Sequence, residues 1–197
     1  MIRNIIFDFG KVLVDYNFHN FLRSIFDTDE EAEKFHSLVC SEAFVARCDK
    51  GDETFPEIIR RTQEQHPEWR AQLDEFRDRQ MDALVGEVPG MREMLTQLRS
   101  RGFRLFGLTN WSAEVYQVME KYDILQMLEG TVVSSDEHII KPDAAIYRIL
   151  CDRFSLVPDE CLFIDDRQTN VDGAIKAGLH AIRFTDAASL ASSLKIP

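Results

Sequence analysis

The amino-acid sequence predicts an α/β fold: a doubly wound parallel sheet, interrupted after its first strand by an inserted helical subdomain. Two patterns lead there. Five short, continuously apolar runs have the texture of parallel strands covered on both faces, and helix-like stretches separate the later ones. Between the first run and the second, strand-like texture is absent and the composition is charged and helical.

The runs, taken in order, predict strands over Asn4–Phe9, Phe103–Thr109, Gly130–Ser134, Cys161–Asp165 and His180–Phe184. Gly90–Arg101 has a helix pattern closed by Gly102, and Ser112–Tyr122, Ala144–Phe154 and Thr169–Ala177 supply the connecting helices. In the insertion, Phe18, Phe21, Leu22, Ile25 and Phe26 recur at helical spacing. So do Phe55, Ile58, Ile59 and Thr62, then Leu73, Phe76, Arg77 and Gln80. Lys50-Gly51-Asp52 and His66-Pro67 punctuate this stretch, and Val88-Pro89-Gly90 marks the return. The expected division is a core of residues 1–15 and 88–197 around an insertion of residues 16–87.

A chain of 197 residues with 45% hydrophobic and 29% charged content reads as an ordinary globular protein with one good core. Its formal net charge of −11, with no basic stretch to offset it, argues against nucleic acid or an anionic membrane as partner. An anionic substrate stays open, because one lysine and a metal ion can reverse the sign locally. Cys40, Cys48, Cys151 and Cys161 show neither C-x-x-C spacing nor a disulfide framework, and read as reduced thiols. The run Ile2 to Phe9 is too short to span a membrane and lacks a cleavage site, so a cytoplasmic location is expected.

In open parallel sheets, ligands bind beyond the carboxyl ends of the strands. Here those ends are polar in a coherent way. The first run leads to Asp8, the second to Thr109-Asn110 and the fourth to Asp165-Asp166, while Lys141 follows the third at a helix entrance. Carboxylates, a hydroxyl, an amide and a lysine are the groups that in-line phosphoryl transfer needs. The histidines (His19, His36, His66, His138 and His180) show no metal-ligand spacing, and Gly10-Lys11 lacks the remaining residues of a Walker A loop.

Four segments carry a resemblance: Phe7-Asp8-Phe9-Gly10-Lys11-Val12-Leu13, Leu108-Thr109-Asn110, Lys141-Pro142-Asp143, and Phe163-Ile164-Asp165-Asp166 with Asn170 and Gly173 following. In this order they resemble the haloacid dehalogenase-like hydrolase superfamily across essentially the whole chain. The branch is that of the capped phosphatases, with glucose-1-phosphate phosphatase-like and epoxide hydrolase N-terminal-like members. The resemblance implies a Rossmann-like core with a helical cap, and Mg²⁺-dependent hydrolysis of a small phosphorylated metabolite through an aspartyl-phosphate. Asp8 would be the nucleophile and a metal ligand. Asp166 and the Gly10 carbonyl would complete the protein ligands, with Asp165 and Asn170 behind them. Thr109 and the Asn110 amide would bind phosphoryl oxygens, and Lys141 would neutralise Asp8 and substrate.

One position departs from the pattern. Most phosphatases of this superfamily carry a second aspartate two residues after the nucleophile, as general acid and base; here that position is Gly10. The branch resembling sugar-1-phosphate phosphatases also has glycine there. The departure keeps two alternatives in play, a metal-free 2-haloacid dehalogenase-type hydrolase and a catalytically impaired ligand-binding descendant. Trp111 and Tyr16 are candidates for the substrate mouth, and Phe44, Arg47 and Asp49 for the facing wall. Oligomeric state is not legible in the sequence.

Overall fold

Strand β1 (Asn4–Phe7) runs through the middle of the molecule with all four residues buried. After it the chain makes a tight turn, in which Leu13 and Val14 donate their main-chain N–H groups to the Phe9 carbonyl, and enters β2 (Val14–Tyr16). The computed structural model describes residues 1–194.

Five helices follow: α1 (Phe18–Arg23), α2 (Asp29–Val39), α3 (Glu42–Lys50), α4 (Phe55–Gln65) and α5 (Arg70–Arg79). Their starts are encoded locally. Thr28, Ser41 and Thr54 each accept a backbone N–H at the N-terminus, and Thr54 and Glu57 form a reciprocal capping box. Strand β3 (Leu84–Glu87) returns the chain and pairs antiparallel with β2, Val14 opposite Glu87 and Tyr16 opposite Leu84. Strand-like texture is not visible in this stretch because each of these strands has only three or four residues, mostly half-exposed. Too little alternation is present to register.

The second half alternates as expected: α6 (Met91–Ser100), β4 (Arg104–Thr109), α7 (Val115–Lys121), β5 (Gly130–Val133), a short α8 (Ser134–Glu137) and α9 (Ala144–Phe154). Then come β6 (Cys161–Asp165), α10 (Gln168–Lys176), β7 (His180–Arg183) and α11 (Ala187–Ser193). The helices α8 and α11 are not anticipated by the sequence patterns, and α7 begins three residues later than they suggest. All pairings in the main sheet are parallel, in the order β5-β4-β1-β6-β7.

The sheet alternates its side chains between two apolar layers. Ile5 and Phe7 join Met91, Leu95 and Leu98 of α6 on one face, while Ile6 joins Ile146, Tyr147 and Leu150 of α9 on the other. The helices between β2 and β3 have a separate apolar centre, in which Phe76 meets Phe21, Phe35, Phe44 and Phe55 at centroid distances of 5.8–6.3 Å. Ile25 and Phe26 fall beyond the end of α1, yet pack against this cluster. No helix among the described residues is long and apolar enough to cross a membrane.

Candidate active site

The chain reverses direction across the sheet at β1, with β4 on one side and β6 on the other, and the carboxyl ends of these strands form a crevice. Asp8 lies one residue past β1, Thr109 ends β4 and Asp165 ends β6. Lys141 enters from the loop before α9 and is buried, as are Asp8, Thr109, Asp165 and Asn170.

The Lys141 ammonium knots this group together. Its Nζ donates to the Leu108 carbonyl at 2.9 Å and to Asp165 Oδ2 at 2.8 Å, and lies 3.0 Å from Asp8 Oδ1. An ammonium has three hydrogens, so all are engaged. Asp165 is fully enclosed and also accepts from Asn170 Nδ2 at 3.1 and 3.0 Å and from the Arg167 N–H at 2.8 Å. Asn110 has a positioning task the sequence does not reveal. Its side chain pairs with the main chain of Lys141, donating to the carbonyl at 3.0 Å and accepting from the N–H at 2.8 Å.

Two features of this cluster look incomplete without a ligand. Asp8, Asp165 and Asp166 each offer a carboxylate oxygen, all within 4.8 Å of one another. Burial pushes the Asp8 carboxyl well up from its ordinary range; Lys141 opposes this and Asp165 adds to it. Asp166 is raised too, by burial and then by Asp165. An oxygen-only donor set with excess negative charge fits a hard divalent cation. The second feature is the Thr109 hydroxyl, whose buried Oγ1 has no hydrogen-bond partner among the described residues. Asp8 and Asp166 of the trio open onto one space.

That space is a cavity of about 590 Å³ between the strand ends and the inserted helices. Asp8, Asp166 and Arg167 lie on its sheet side, while Phe44, Phe55 and Phe76 supply apolar wall from the insertion. Trp111 lines the cavity and also packs against the apolar layer on one face of the sheet. Tyr16, His19, His36 and Asp49 line it as well. For the two histidines no linear spacing signals this, because α1 and α2 bring them together only in the folded chain, with ring centroids 6.4 Å apart. Lys11 is turned to other work: its Nζ donates to Asp15 at 2.6 Å and to the Tyr16 carbonyl at 2.5 Å. Gly10 has a steric reason. A Cβ there would stand 3.0 Å from Cε1 of Tyr16, so the tyrosine ring occupies the space beside it.

A sequence model of the haloacid dehalogenase-like hydrolase family matches residues 5–184. Among similar proteins, Flavin mononucleotide hydrolase 1 of Arabidopsis thaliana is 33% identical over 107 residues, covering 54% of this chain and 44% of its own. (S)-2-haloacid dehalogenase 4A of Burkholderia cepacia is 32% identical over 112 residues, covering 55% and 48% respectively. The matched segments thus span under half the length of either relative. Among solved structures, a magnesium complex of a HAD family enzyme from Bacteroides thetaiotaomicron superposes with a TM-score of 0.76 at 20% identity, covering 100% of this chain and 99% of that one. At that identity the likeness shows the fold.

Proposed function

Because the chain belongs to the haloacid dehalogenase-like hydrolase family, we propose that it is a Mg²⁺-dependent phosphomonoesterase for a small phosphorylated metabolite. The observation that supports this most directly is the carboxylate trio of Asp8, Asp165 and Asp166 beside the unpartnered Thr109 hydroxyl. Residues 16–87 act as a cap over a core of residues 1–15 and 88–197.

Asp8 attacks phosphorus in line, the ester oxygen departs as the alcohol, and water then cleaves the aspartyl-phosphate to regenerate the carboxylate. Asp8, Asp166 and the Gly10 carbonyl would hold Mg²⁺, which when bound neutralises charge on the phosphoryl group. Lys141 favours the ionised form of Asp8 against the effect of burial and holds it in place, and Asp165 with Asn170 keeps Lys141 in place. Thr109 donates its free hydroxyl hydrogen to a phosphoryl oxygen. A volume of about 590 Å³ with an aromatic wall accommodates a small ester.

A metal-free dehalogenase reading draws support from the Burkholderia relative and from Gly10. The carboxylate trio weighs against it, since such crowding favours a cation. The test is a panel of phosphate esters and chloroacetate, each with Mg²⁺ and with chelator, on wild type and Asp8→Asn. Ester hydrolysis that needs Mg²⁺ and falls by about 10⁴-fold or more in Asp8→Asn is expected. Chloride release from chloroacetate that survives chelation, with no ester hydrolysis, would overturn the phosphatase reading.

A further inference from the structure

Gly10 leaves the site without an acid at the position where most phosphatases of this superfamily carry one. Of the two histidines that line the cavity, His19 Nδ1 is turned to Glu33 at 3.1 Å and the His36 ring stands against that of His19. Lys11 is committed to Asp15 and the Tyr16 carbonyl. Arg167 brings a guanidinium, a hydrogen-bond donor and not a general acid. The Tyr16 phenol is held firmly protonated, by burial first and then by Asp166, Asp8 and Asp49. Asp49, at the C-terminal end of α3, lines the same cavity from the inserted helices. Among the described residues its carboxyl group has no hydrogen-bond or ion-pair partner, and only the main-chain oxygen of Asp49 is bonded.

Its placement is built into the fold. Helix α3 stops at Gly51, whose φ of 71° lies in the left-handed region and whose missing Cβ would sit 2.5 Å from the Ser135 carbonyl oxygen. Any side chain there would lift the helix end off the core. One residue earlier, Ser134 Oγ donates to the Asp49 carbonyl at 2.5 Å while accepting from the Trp111 N–H at 3.0 Å. The end of α3 is thereby pinned to the residues that follow β4 and β5, and Asp49 lines the same cavity as Asp8.

We propose that Asp49 is the catalytic acid and base of this site, supplied by the insertion in place of the residue that Gly10 lacks. This rests on the phosphomonoesterase reading above. As Asp8 bonds to phosphorus and the P–O bond to the alcohol breaks, the Asp49 carboxyl proton passes to the departing oxygen. The resulting carboxylate then takes a proton from water as that water attacks the aspartyl-phosphate. The bond to Asp8 breaks, inorganic phosphate leaves, and Asp49 is protonated again. The surroundings suit the role: burial pushes Asp49 up to about 7, with Lys141 and Arg167 pulling the other way.

The test compares kcat/KM for glycerol phosphate, whose alkoxide leaves poorly, with p-nitrophenyl phosphate, whose leaving group needs no proton. In Asp49→Asn, the glycerol phosphate value should fall by about 10²–10⁴-fold and the p-nitrophenyl phosphate value by less than about 10-fold. With p-nitrophenyl phosphate, kcat and KM should fall together, because the variant also lacks the base for the second step. Asp49→Ser, checked for native unfolding behaviour, provides a second variant if the first misfolds. Equal losses on both esters, no loss on either, or a change confined to KM would overturn the assignment of Asp49. A wild-type protein that hydrolyses neither ester would instead overturn the phosphomonoesterase reading, and the role of Asp49 with it.

Discussion

The two walls of the cavity are built on different principles. On the sheet side, Asp8, Lys141, Asp165 and Asn170 satisfy one another through short hydrogen bonds, and Asn110 fastens the Lys141 main chain. On the insertion side, the wall is chiefly aromatic, and its carboxylate, Asp49, has no such partner among the described residues. A polar cluster paired within itself is rigid, which suits groups that must meet phosphorus in one geometry. An unpaired carboxyl on an apolar wall binds its proton more tightly and can give it away. Burial raises Asp8 on the sheet side as it raises Asp49, so the walls differ in pairing. The sheet side is built for position, the insertion for fit and for a carboxyl with no cation paired to it.

The sharpest way to break that contrast is to cut the knot. Lys141→Ala leaves Asp8 and Asp165 buried without their shared cation. A loss of about 3–5 kcal/mol in urea unfolding is expected, together with loss of ester hydrolysis. A variant as stable as wild type would mean that the carboxylates find other partners, and that the sheet side is not the rigid wall described here.

Phe76→Ala probes the opposite wall. Phe76 is the hub of the insertion's aromatic centre and lies far in sequence from every strand-end residue. Truncation should cost about 3 kcal/mol of stability, since the helices around it can partly collapse into the space. Amide hydrogen exchange should accelerate in α1 to α5 while β1, β4 and β6 stay protected. Uniform acceleration across the sheet would show that the two apolar centres unfold as one, and would blunt the distinction between the walls.

The difference between the walls also decides what could be read from the sequence. Asp8, Thr109, Asp165 and Asp166 stand directly at or after strand ends, so locating the strands locates the side chains. Their resemblance to a known family then adds roles to a placement the periodicity already suggests. The pairing of Asn110 with Lys141 spans 31 residues and is invisible in one dimension. The ribbon of β2 and β3 is missed because its strands are too short to show a period. Asp49 has only an indirect local signal, a carboxylate two residues before the glycine that ends a helix. Its direction depends on Ser134 and Ser135, which lie more than eighty positions away.

The smallest expected effect isolates Asp49 without any substrate. Its carboxyl is raised to about 7 in the folded protein, against about 3.9 in an unfolded chain. The folded state therefore holds this proton more tightly. The stabilisation from Asp49 is full below about pH 4 and is lost as pH rises through about 7. Removing the titratable group should remove that loss. Asp49→Asn should thus gain stability relative to wild type between pH 5 and pH 8, by about 1–2 kcal/mol once partial solvent exposure is allowed for. Asp8 and Asp166 are raised in both proteins, so their contributions cancel in the difference. Urea unfolding at the two pH values, without Mg²⁺, measures it. Parallel pH profiles for the two proteins would mean that Asp49 is ionised at neutral pH. It would then sit in the cavity as a charge with no proton to donate, and the unpaired wall would differ from the knotted one in packing alone.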